Sequence, residues 1–148
     1  MENTKLKIYL ASPFFNEHEK DKVQAVVKQL RLKGQEVYVP MEHEIPNAWD
    51  LPNHEWAKKV FEEDIKAIQQ SDAVYVLNFG MYSDSGTAWE CGYAYGIGKP
   101  VINILCGKGT YSLMMINGSH EFFDIINMTE FLDPMYITAR MFLPFEQK

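Results

Sequence analysis

An α/β fold, with a mostly parallel sheet of about five strands covered by helices on both faces, is what this 148-residue sequence predicts. Two observations carry it. Short apolar runs alternate with stretches of helical period in the order β-α-β-α-β-α-β, and strands joined through a helix pair in parallel. No repeat, low-complexity tract or linker breaks that order, so residues 1–148 read as one domain, long enough to bury a substantial core.

The elements follow in turn. Residues 6–11 are apolar and form strand 1. Residues 16–33 carry Val23, Val26, Val27 and Leu30 at helical spacing, and Gly34 supplies the stop. Strand 2 spans 36–40. Residues 41–53, with Pro46, Pro52, Asn47 and Asp50, read as a long loop, and loops of that length in compact domains tend to be functional or disordered. Residues 54–70 form a second helix whose inner stripe is Ala57, Val60, Phe61, Ile65 and Ile68. Strand 3 is 73–79, a loop occupies 80–85, and 86–97 form a helix apolar on every side, which predicts burial. Strand 4 is 100–105. A fifth strand at 122–126 and a last helix at 129–141 complete the reading. In such sheets the ligand crevice lies beyond the carboxyl ends of the strands, so residues 11–16, 41–53 and 79–90 converge on one cleft.

Composition narrows the function. Hydrophobic residues make up 47% and charged residues 23%, a soluble globular balance, and the formal net charge of -6 argues against nucleic acid or an anionic membrane as partner. No apolar run reaches the ~18 residues of a membrane span. The first residues carry no signal-peptide pattern, and Cys91 and Cys106 read as reduced, buried thiols, so the expected location is cytoplasmic. The four histidines show no metal-ligand spacing, and neither a metal nor a cofactor is expected.

Glu90 is the most informative residue. It is the only charged side chain between Asp84 and Lys99, on the helix read as buried. A carboxylate in such surroundings has to be paired or used. Asp64 follows Val60 by four residues and precedes Ile68 by four, so it shares their face, unlike Glu62 and Glu63. Asp84 stands where a helix N-cap belongs. Tyr9 lies near the end of strand 1, where a buried hydroxyl needs a partner that a carboxylate would satisfy. The turn 11–16 contains no glycine, which excludes the dinucleotide fingerprint, and Phe14 and Phe15 offer flat apolar surface there, or a hydrophobic staple onto the next helix. Paired carboxylates suit chemistry at an anomeric carbon, and aromatic faces suit a nucleobase.

Three blocks together are more specific. Asp84-Ser85-Gly86-Thr87-Ala88-Trp89-Glu90-Cys91-Gly92-Tyr93-Ala94, Ile8-Tyr9-Leu10-Ala11-Ser12-Pro13-Phe14-Phe15 and the helix from Trp56-Ala57 to Glu63-Asp64-Ile65 resemble the nucleoside 2-deoxyribosyltransferase family over residues 6–116. The resemblance implies a flavodoxin-like (Rossmann-like) α/β/α sandwich. It implies that Glu90 is the nucleophile that takes the deoxyribosyl group, that Tyr9 orients it, and that Asp64 handles the nucleobase proton. Asp84 would bind a sugar hydroxyl, with Gly86 beside it, and Ser12, Phe14 and Phe15 would contact substrate after strand 1. Glu44 stands where some members use an amide against the base. Ser112 stands where many have asparagine, and serine there is similar to related deoxynucleotide N-hydrolases. Those hydrolases also carry a Gly-Gly-Arg segment that this chain replaces with Pro13-Phe14-Phe15, which favours an unphosphorylated nucleoside. The substrates would be 2'-deoxynucleosides and free bases. The assembly would be a dimer-based homo-oligomer, up to a hexamer, in which the segment 111–117 offers Ser112 and Met114 to a neighbouring site. That segment is also a run of large apolar residues with no partner element of its own. A hydrolase with water as acceptor, and a non-catalytic nucleotide-binding module, are the competing readings.

Overall fold

A computed structural model describes residues 5–43, 48–80 and 84–127. Five strands form one sheet: β1 (Lys7–Ala11), β2 (Glu36–Tyr38), β3 (Ala73–Asn78), β4 (Val101–Leu105) and β5 (Glu121–Asp124). Their order is β2-β1-β3-β4-β5, and every neighbouring pair is parallel. The helices are α1 (Glu17–Leu32), α2 (Asn53–Gln70), α3 (Ser85–Gly96) and the short α4 (Leu113–Asn117). The expected sheet is therefore present and wholly parallel. The expected helix at 129–141 and Glu44 lie outside the described residues.

Side chains alternate across the sheet because the strand period is two. Ile8, Leu10, Tyr75, Leu77, Ile102, Ile104 and Phe123 face one way and pack on Val23, Val26, Val27 and Leu30 of α1. Tyr9, Ala11, Val74, Val76 and Val101 face the other and pack on Ile68 of α2, Cys91 and Ala94 of α3, and Met115 of α4. Helix α1 starts where Asn16 caps the Glu19 N–H, and it ends at Gly34, whose φ of 86° suits glycine. At the carboxyl edge, a Cβ on Gly107 would stand 2.4 Å from the Phe79 carbonyl oxygen, so only glycine lets the chain leaving β4 pass that close to the end of β3.

Three expectations are corrected. Helix α3 is not buried all round: Thr87, Cys91 and Ala94 are its buried residues, while Trp89 is 49% and Tyr95 47% exposed. Of the α2 stripe only Ile68 is fully buried. Val60 and Ile65 are half-buried, whereas Ala57 and Phe61 are exposed. The apolar surface of both helices exceeds what one sheet face covers. Strand 2 is also shorter than 36–40, because Pro40 opens a 3-10 turn (Pro40–Glu42), and a second such turn (Ala48–Asp50) lies in the segment read as loop.

Candidate active site

The chain reverses direction across the sheet between β1 and β3: β2 lies on one side of β1 and β3 on the other. A crevice opens at such a point, beyond the carboxyl ends of the strands. Tyr9 of β1 faces the α2–α3 side and is fully buried. Its hydroxyl donates a hydrogen bond to Glu90 Oε2, joining residues 81 apart in the chain. Burial and the adjacent Glu90 charge push the Tyr9 hydroxyl far above its ordinary range, so it stays a proton donor.

Glu90 is half-buried on the inner side of α3. Burial raises its carboxyl from 4.5 to about 7; the Tyr9 hydrogen bond opposes this, and the charges of Asp64 and Asp84 reinforce it. Asp64, half-buried on α2, is raised to about 6, first by burial and then by Glu63, with His43 pulling the other way. The Asp64 charge is among the causes that raise Glu90, which puts two protonatable carboxyls of separate helices in one electrostatic neighbourhood. Asp84 caps α3: its Oδ2 accepts from the Thr87 N–H at 2.8 Å and from the Thr87 hydroxyl at 3.0 Å. A Cβ on Gly86 would sit 3.0 Å from that same carboxylate oxygen, so glycine leaves Asp84 accessible from above.

The remaining expected residues divide. The Ser12 hydroxyl donates to the Pro13 carbonyl. The rings of Phe14 and Phe15 stack with centroids 6.0 Å apart, and Phe15 is exposed. Ser112 caps α4, accepting from Met115 N–H at 3.4 Å, while Leu113 (69%) and Met114 (76%) are exposed. Tyr38 was not anticipated as a site residue. It pairs with Tyr9 in the β1–β2 register, stacks on it at 5.6 Å, and carries His43 on its other side at 4.1 Å. Burial and the charges of Asp64 and Glu63 push its hydroxyl up to about 12. The sequence shows an aromatic in strand 2, but only the β1–β2 register brings it level with Tyr9.

The family described as nucleoside 2-deoxyribosyltransferase matches residues 8–124, a span that contains every element of the cleft. The chain belongs to the nucleoside 2-deoxyribosyltransferase family. A 2-deoxyribosyltransferase from the psychrotolerant bacterium Bacillus psychrosaccharolyticus is 31% identical, with a TM-score of 0.81 over 95% of this chain and 99% of that one. A conserved protein from Enterococcus faecalis V583 shares the fold at 20% identity, with a TM-score of 0.74 over 93% of this chain and 99% of that one. The CMP N-glycosidase BcmB of Clostridium botulinum does so at 22% identity, with a TM-score of 0.57 over 87% of this chain and 97% of that one. Curated proteins yield no match. As a nucleoside 2-deoxyribosyltransferase family member the chain is of a class that transfers or hydrolyses glycosyl groups, and among its described residues no helix is long and apolar enough to cross a membrane.

Proposed function

We propose that the protein exchanges the base of a 2'-deoxyribonucleoside through a covalent deoxyribosyl ester on Glu90. The observation that carries this reading is the Tyr9–Glu90 hydrogen bond, which aims a carboxylate from a largely apolar helix into the crevice, with Asp64 in its electrostatic reach. A Glu90 oxygen attacks C1', the C1'–N bond breaks, and Asp64 gives its proton to the departing base. A second base then attacks C1', releases Glu90 and returns a proton to Asp64. Two inversions give net retention. Tyr9 holds one carboxylate oxygen so that the other faces the sugar, and Asp84, already fixed by Thr87, accepts from a sugar hydroxyl. Residues 11–16 and 84–90 include no lysine or arginine, which supports a substrate without a 5'-phosphate.

The test is a product assay. Deoxyinosine with free adenine should yield deoxyadenosine and hypoxanthine. Inosine should turn over far more slowly, because a 2'-hydroxyl withdraws electrons from the oxocarbenium-like centre. Release of hypoxanthine without deoxyadenosine would instead identify water as the acceptor and the protein as an N-glycosidase.

The same reading includes a second copy of the chain. Phe61 (53% exposed) leans on Trp89 at 5.4 Å, and Trp89 stacks on Tyr93 at 5.4 Å, so α2 and α3 share a partly exposed aromatic cluster. Leu113 and Met114 extend from α4 beside Ser112. Apolar surface of this kind marks an association face. We expect a cytoplasmic, dimer-based oligomer in which 111–117 reaches the neighbour's sugar and base. Mixing inactive Glu90→Ala protein with an inactive Ser112→Trp variant should restore activity through hybrid sites. A fully active monomer in light scattering at assay concentration would contradict it.

A further inference from the structure

Two asparagines stand on the sheet face that carries Tyr9 and meets α3. Asn78 ends β3 and Asn103 is central in β4, and both are fully buried. Their amide orientations are settled by their partners. Asn78 Oδ1 accepts from the Gly80 N–H at 3.1 Å, so its Nδ2 faces away and has no partner among the described residues. Asn103 Nδ2 donates to the Met115 carbonyl at 3.2 Å and lies 4.0 Å from Cys91 Sγ, so its Oδ1 faces away and likewise has no partner among the described residues. One orphan is a donor and the other an acceptor. In the β3–β4 register Val76 lies opposite Asn103 and Asn78 opposite Leu105, which makes the asparagines diagonal neighbours, with Cα atoms about 8 Å apart from the strand spacing and two residue rises. Leaving a buried amide donor or acceptor unsatisfied is costly, so complementary ones this near call for a bridge. A single water can serve both a donor and an acceptor of this kind.

We infer that Asn78 and Asn103 are positioning residues, joined through one internal water that accepts from Asn78 Nδ2 and donates to Asn103 Oδ1. The bridge ties together three parts of the cleft. Asn78 holds the turn that leaves β3 toward α3. Asn103 holds α4 through the Met115 carbonyl, and with it the Ser112 cap. Asn103 also reaches Cys91, whose thiol lies 3.9 Å from the Gly118 carbonyl and which directly follows Glu90 in the helix. Its catalytic consequence rests on the reading of Glu90 as nucleophile; the bridge itself does not.

The test combines a crystal structure of the unmodified protein with a mutant cycle of Asn78→Leu, Asn103→Leu and the double variant. The structure should hold one water within hydrogen-bond reach of both amides. Each single variant should lower Tm by about 5 °C, and the double variant by clearly less than the sum. In base exchange kcat should fall roughly tenfold in the singles and stay low in the double, with the donor KM within about twofold, since the loss is of alignment and not of binding. Crystals with no water within reach of both amides would overturn the bridge, as would additive Tm losses. Coupled Tm losses with kcat at the unmodified level would overturn the positioning role. If the unmodified protein exchanges no base, the proposed activity fails, while the crystal structure and the Tm cycle still decide the bridge.

Discussion

Replacing Glu90 with glutamine should abolish base exchange and make the protein more stable at pH 8. The activity loss follows from removing the attacking oxygen, which ends the covalent route. The stability gain follows from the raised carboxyl. In the folded chain Glu90 titrates near 7 rather than 4.5, so folding favours its protonated form. That favour is fully present below the unfolded value and is lost as pH rises through the folded one. At pH 8 the native protein therefore carries an ionised carboxylate at a cost of at most about 3 kcal/mol, the energy equivalent of a shift from 4.5 to about 7. Glutamine keeps an acceptor for the Tyr9 hydroxyl without the charge. Tm should rise by up to about 10 °C at pH 8 and hardly change at pH 4, where both states are protonated in the parent protein. Near-normal exchange in Glu90→Gln, or an equal Tm change at both pH values, would remove the basis for this assignment.

Asp64→Asn should slow transfer from bases that leave poorly, such as adenine, by about 10²–10⁴-fold, and slow transfer from bases that leave as stable anions far less. The reason is that only a poor leaving group needs the proton. The pH profile gives a second readout. On the proposed mechanism the reactive form holds one proton between the two carboxyls, on Asp64 with Glu90 ionised, and it is the minor of the two arrangements, because Glu90 is raised to about 7 and Asp64 to about 6. The pair takes up its second proton below about 6 and loses its last above about 7, so kcat should peak between those values. Asp64→Asn removes the alkaline limb. It also takes away a charge that raises Glu90, so activity should rise with pH along a single limb set by Glu90 alone, below the parent's value of about 7. Equal slowing for both kinds of leaving group would reduce Asp64 to a binding or structural role.

The parallel sheet was legible because its strands are short apolar runs and α1 and α2 declare their period and their stops. Glu90 and Asp64 stood out for a related reason, as charges on faces otherwise apolar. What could not be read was which apolar faces the sheet would cover. Trp89, Tyr95 and Phe61 look like core residues in a linear pattern, yet the α2 and α3 residues that are fully buried are Thr87, Cys91, Ala94 and Ile68. Helix α4 is too short, at five residues, to produce a periodic signal. The stacking of Tyr38 between Tyr9 and His43 depends on β1–β2 register, and the approach of Asn78 to Asn103 depends on β3–β4 register. Neither register is written in any local pattern, whereas the Asp84 cap on Thr87 was, because capping is local.

The covalent intermediate is the most direct place to look. Deoxyinosine should be mixed with the enzyme in the absence of an acceptor base, quenched in acid during turnover, and digested for mass spectrometry. Nucleophilic attack by Glu90 predicts one deoxyribosyl group on the peptide that contains Glu90, discharged when free adenine is added before the quench. Hypoxanthine release at the full rate with no adduct, or an adduct mapped to another residue, would contradict it.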